Sequence, residues 1–120
     1  MRLAAAGLAF LTVAALANQA EAHAKLIATT PANGGAAAAP TEIRLKFNEP
    51  IEIKLSGIDL TTKAGEKIAV GAMTADPAEK AGVIVTIGSV LKPGGYKVHW
   101  HVVSDDMHKI EGNFTFDVKE

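Results

Sequence analysis

The chain contains no cysteine. That absence excludes a disulfide framework as a source of stability and thiolates as metal ligands, leaving His, Asp, Glu, Met and a terminal amine for any metal chemistry. Aromatic residues are also scarce, at 5% of the sequence with a single Trp and a single Tyr, which argues against an extended aromatic surface for a polymeric substrate. Neither sign of charge dominates: 12 basic residues stand against 13 acidic ones, and no basic run occurs. The chain therefore has no electrostatic reason to bind nucleic acid or an anionic membrane. Long hydrophobic runs are missing after Ala17, so no membrane insertion of the mature chain is expected.

What is present begins with an address. Met1-Arg2 supplies a positive start, Leu3 to Ala17 is nearly all apolar, and Ala20-Glu21-Ala22 has the small-x-small form of a signal-peptidase site. The apolar run is shorter than the about 20 residues that a membrane-spanning helix requires. Residues 1–22 are expected to be a cleaved signal peptide, with export to the periplasm. Residues 23–120 then form one domain of immunoglobulin size, opening on His23.

The rest of the chain alternates polar and apolar residues in short runs. Glu42 to Phe47 alternates without a break, which predicts a strand that buries Ile43, Leu45 and Phe47. Ile51 to Leu55 and Ile58 to Thr61 repeat the pattern, and Lys67 to Val70 is a shorter segment of the same kind. Ala36 to Ala39, stopped by Pro40, reads as a surface loop. Ala72 to Gly82 has no clear period, with one helical turn possible at Ala78 to Ala81. Val83 to Ile87 is β-branched and short. Tyr96 to Val103 is the longest alternating run; its parity turns Tyr96, Val98, Trp100 and Val102 inward and Lys97, His99, His101 and Val103 outward. Glu111 to Val118 follows, with Phe114 and Phe116 on its inner side. Recurrent turn signals and no convincing helix predict a two-sheet antiparallel β-sandwich or partly open barrel.

Between the last two runs lies Ser104-Asp105-Asp106-Met107-His108. Asp106 and His108 offer a hard carboxylate and a borderline imidazole two residues apart, a pair that suits Cu(II) or Zn(II), although such pairs also occur as plain hydrogen-bonded turns. His23 strengthens the metal reading, because cleavage after Ala22 frees its α-amine. The amine and Nδ1 of one residue then close a six-membered chelate ring.

Several separated stretches together resemble the CopC family of periplasmic copper-resistance proteins. They are His23-Ala24-Lys25-Leu26 after the signal site, Thr29 to Gly34, Phe47-Asn48-Glu49-Pro50, Leu91 to Trp100, and Val103 to His108 with Gly112 to Phe116. The resemblance implies a Greek-key β-sandwich, immunoglobulin-like or cupredoxin-like, that binds one Cu(II) ion per chain through His23, Asp106 and His108. It implies a non-enzymatic carrier or buffer in copper resistance, with copper and an inner-membrane copper transporter as partners. Glu49 matches an acidic position beside that family's copper site. Some members also carry a Cu(I) site rich in methionine, but beyond Met1 this chain has only Met73 and Met107, so no such site is expected.

Some alternatives remain open at this level. An N-terminal amine with two imidazoles is also the ligand set of copper oxygenases that attack polysaccharides, and a metal-free immunoglobulin-like module needs no ligand at all. Met107 either approaches the copper axially or packs on the sandwich. His99 and His101, on one face at i and i+2, either clamp a second metal or are simply solvated, since no third ligand is evident from the sequence.

Overall fold

Alternation of apolar and polar residues produces strands throughout, and two sheets pack their apolar faces together. The structure, a computed structural model, describes residues 24–120. The expected signal peptide and His23 lie outside the described residues. The strands are β1 (Leu26–Thr30), β2 (Ala36–Ala37), β3 (Glu42–Phe47), β4 (Gly57–Thr62), β5 (Lys67–Ile68), β6 (Val70–Ala75), β7 (Gly82–Ile87), β8 (Gly94–Val103) and β9 (Lys109–Val118). One sheet has the order β1-β3-β7-β6 and the other β2-β9-β8-β4-β5. The chain changes sheet repeatedly, the crossing connectivity of a Greek-key sandwich. Among the described residues, no helix is long and apolar enough to cross a membrane.

The inner faces are the ones that parity predicts. Ile43, Leu45 and Phe47 of β3 are buried, as are Tyr96, Val98, Trp100 and Val102 of β8 and Phe114, Phe116 and Val118 of β9. Burial of each such aliphatic or phenyl side chain stabilises the fold by about 1.5–3 kcal/mol. Phe47 from one sheet meets Trp100 from the other edge to face, with ring centres 5.6 Å apart, while Tyr96 stacks on Phe116 across the β8–β9 pair. Trp100 is paired with Gly112, and a Cβ at that glycine would stand 2.6 Å from the indole Cζ2. The inward position at Gly112 is thus left empty for the indole, which closes the core at this end.

Five local readings are corrected. Ile51–Leu55 is not a strand: Ile51 makes one bridge to Ser104, and Ile53–Leu55 forms a 3-10 turn. Half-buried Ile51 and Ile53 still pack on the core, so the alternation reports burial without a partner strand for the backbone. Val103 is buried, not outward, because its amide donates to Ser56 Oγ at 3.1 Å and its carbonyl accepts from the Glu52 amide at 2.8 Å, bringing this segment over it. Ala36–Ala37 leaves the loop to pair parallel with β9, so the otherwise antiparallel sandwich has one parallel edge. Ala72–Ala75, without a legible period, belongs to β6, whose register against β7 shifts between Val70 and Met73; a bulge of this kind breaks the period of two. Residues 77–80 form a turn and not a helix.

Candidate metal centre

β8 and β9 pair along their whole length, from Gly94 opposite Val118 to Val103 opposite Lys109. The Ser104–His108 segment is the tip of this long hairpin, so its side chains stand on one of the best supported backbones in the fold. Ser104 fixes the tip. It is fully buried, its amide donates to the His108 carbonyl at 3.0 Å, and its carbonyl accepts from the Met107 amide at 2.8 Å. Its hydroxyl oxygen accepts from the His108 amide at 3.2 Å, and the hydroxyl donates to Asp106 Oδ1.

Met107, between the two candidate ligands, has φ +68°. A non-glycine residue held in this left-handed region costs on the order of 1–3 kcal/mol, and such strain persists where the surroundings over-determine it. Here the Ser104 contacts do so. The Met107 side chain is 63% exposed, so it does not pack on the sandwich. The reversal at Met107 brings Asp106 and His108 to the same side, with His108 Nδ1 3.0 Å from Asp106 Oδ2. The Ser104 hydroxyl, and secondly His108, hold the Asp106 carboxyl below the usual carboxylate range, against a smaller opposing effect of partial desolvation.

That shift gives a prediction. Ser104→Ala removes the hydroxyl donor and keeps the backbone bonds, so Asp106 is expected to titrate higher, toward the ordinary range. A carboxyl group whose folded-state pKa is depressed stabilises the fold above its unfolded pKa, and this contribution disappears as pH falls through the folded value. The variant should therefore lose the loop's order at a higher pH than the parent. A carbon-13 NMR titration of Asp106 checks this; an unchanged midpoint contradicts the role of Ser104.

His23 lies outside the described residues, but the residues that follow it are firmly held. Ala24 is 2% exposed. The Lys25 amide donates to Asn48 Oδ1 at 2.7 Å and the Asn48 amide donates back to the Lys25 carbonyl at 3.0 Å. Three residues beyond Asn48, Ile51 bridges to Ser104. A chain segment of that length spans at most about 10 Å. Half-buried Glu49 lies within this link. The start of the described chain and the Asp106–His108 tip therefore occupy the same end of the sandwich.

Among the described residues, no three His, Asp or Glu side chains are gathered as a metal site. Asp106 and His108 form a two-ligand pair that needs completion from elsewhere. Ser104 and Asn48 are the residues that sequence reasoning passed over. The signal for Ser104 was its place two residues before Asp106, where a hydroxyl reaches back into its own turn; Asn48 carried no comparable signal, because its partner is distant in sequence.

Residues 26–119 match the model of the CopC domain. The chain belongs to the CopC family. It is 40% identical over 113 residues to Protein YobA of Escherichia coli K12, covering 93% of this chain and 91% of that protein. It is 39% identical over 105 residues to Copper resistance protein C of Pseudomonas syringae pv. tomato, covering 83% of each. The crystal structure of PcoC, a methionine-rich copper resistance protein from Escherichia coli, superposes with a TM-score of 0.73 at 36% identity, covering 82% of this chain and all of that one. CopC family proteins are copper-resistance proteins and not enzymes. This CopC chain differs from the methionine-rich PcoC in its soft ligands: Met73 is buried in the core and Met107 is exposed at the hairpin tip.

Proposed function

We propose that the exported chain is a periplasmic Cu(II) carrier and buffer that holds one ion through the amine and imidazole of His23, the imidazole of His108 and the carboxylate of Asp106. The observation that carries this reading is the Asp106–His108 pair, set at 3.0 Å on the rigid hairpin tip, at the same end as the anchored start of the described chain. A carboxylate oxygen and an imidazole nitrogen 3.0 Å apart are spaced to take neighbouring positions around one ion. Three nitrogens with one oxygen match the tetragonal preference of Cu(II), which also stands highest among divalent first-row ions in affinity for such donors. Copper is cargo here, received in the periplasm and passed to a membrane transporter.

A carrier has to keep its copper from reacting with oxygen. With one equivalent of Cu(II), ascorbate and air, the protein is expected to produce hydrogen peroxide far more slowly than the same concentration of unbound Cu(II). Peroxide production that matches unbound copper, or sustained turnover on a glycan, would overturn the carrier reading in favour of an oxygenase.

A further inference from the structure

The outer face of the five-stranded sheet carries a second group of ligating side chains, separate from the hairpin tip. Across β4, β8 and β9, Asp59 stands opposite His99, which stands opposite Asn113; one row further on, Gly57, His101 and Glu111 are opposite one another. Glu111 reaches diagonally from the second row to the first, placing Oε1 2.7 Å from His99 Nε2. Asp59 Oδ2 lies 3.6 Å from the other ring nitrogen, Nδ1. The His101 ring lies over Gly57, where a Cβ would be 3.4 Å from Cε1 and Nε2. The two imidazole centres are 6.2 Å apart and their planes differ by 32°, a separation that a rotamer change of the exposed His101 must shorten for both rings to ligate one ion.

We propose that His99, His101 and Glu111 form a second, weaker site for a divalent first-row metal, Zn(II) or Cu(II), with Asp59 orienting His99. The third ligand that the sequence alone did not offer is Glu111, directly across the strand pair from His101 and already in contact with His99. The side chains do not yet converge on a point, because His99 Nε2 is engaged by Glu111 and His101 rests over Gly57. Metal entry replaces the His99–Glu111 hydrogen bond with two metal bonds, releasing to solvent any proton shared between them. His101 turns toward its cross-strand neighbour, and both Glu111 and His101 are exposed, so the change is one of side-chain rotamers. Two imidazoles and a carboxylate leave a fourth position open to water or an exchanging ligand. The site sits on the stem of the hairpin whose tip carries Asp106 and His108, about 10 Å along the strand from Ser104. Being exposed and open, it suits metal capture and exchange better than retention.

The test uses Zn(II) alone, added to the untagged chain starting at His23 and carrying His108→Ala, with the imidazole nitrogens followed by NMR and the stoichiometry by calorimetry. The resonances of both His99 and His101 should move together and saturate with one bound Zn(II). Adding His99→Ala and His101→Ala should abolish that binding event, and Glu111→Gln should weaken it about tenfold, in the range by which groups around a metal change affinity. Ring resonances that stay in place with excess Zn(II), or a stoichiometry unchanged without His99 and His101, would overturn the proposal. Because the readout is at these two rings in a chain lacking His108, failure of the Cu(II) carrier reading leaves this test unaffected.

Discussion

A chain that begins at His23 is expected to bind Cu(II) at least about 100-fold more tightly than the same chain with a few residues left ahead of it. In the proposed site the free α-amine and Nδ1 of His23 would chelate one ion, and the chain from Lys25 on is already tied to Asn48 by two hydrogen bonds, at 2.7 and 3.0 Å. An extension converts the amine into an amide, whose nitrogen binds copper only after losing its own proton. Competitive titration of the two forms against a chelator of known affinity measures the difference. Equal affinities would exclude the N-terminal chelate. A cut after Ala24 in place of Ala22 would remove His23, and the product should resemble the extended form.

His108→Ala is expected to have an effect of the same order. In the proposed site it would delete one in-plane nitrogen outright, whereas loss of a neighbouring group that only orients a ligand typically costs about 10–100-fold in affinity. The His99→Ala, His101→Ala double variant should keep the tight Cu(II) ion, because those rings lie on the hairpin stem. None of the three side chains belongs to the core, so the apo forms should retain their strand content by circular dichroism. If His108→Ala leaves the affinity unchanged while the double variant abolishes tight binding, the principal site is on the sheet face and not at the tip.

The parts of the molecule that could be read from the sequence are those in which one physical rule decides the outcome. β3, β8 and the Phe114–Phe116 part of β9 each have one face in the core and one in water, so parity alone gave their strand type and their buried residues. Asp106 and His108 were legible because two ligating side chains two residues apart in a polar turn need no distant partner to be noticed. The rule failed where a second influence enters. At Ile51–Leu55 only Ile51 and Ile53 keep the half-buried alternation, Leu55 is exposed, and the backbone coils into a 3-10 turn, while at Val103 a neighbouring segment covers a nominally outward position. β6 contains a register shift that destroys the period.

The same limit applied to the sites. Ser104 was given no role from the sequence, yet its backbone and hydroxyl fix the hairpin tip and its hydroxyl holds the Asp106 carboxyl below the usual range. His99 and His101 lacked a third ligand until strand pairing placed Glu111 across from His101. Cross-strand neighbours of this kind depend on register, which the sequence of one strand does not contain. The sequence did supply the family resemblance, because its motifs were spread over nearly the whole of the expected mature chain.

The most direct measurement is an electron paramagnetic resonance spectrum of the chain starting at His23 with one equivalent of Cu(II), compared with samples in which histidine or the N-terminal residue alone is labelled with nitrogen-15. The expected result is a single axial signal of tetragonal Cu(II), coupled to three nitrogens. The label at residue 23 should alter two of these couplings, and His108→Ala should remove the third. A signal without nitrogen coupling, or one that neither the residue 23 label nor His108→Ala changes, would contradict a site built from His23 and His108.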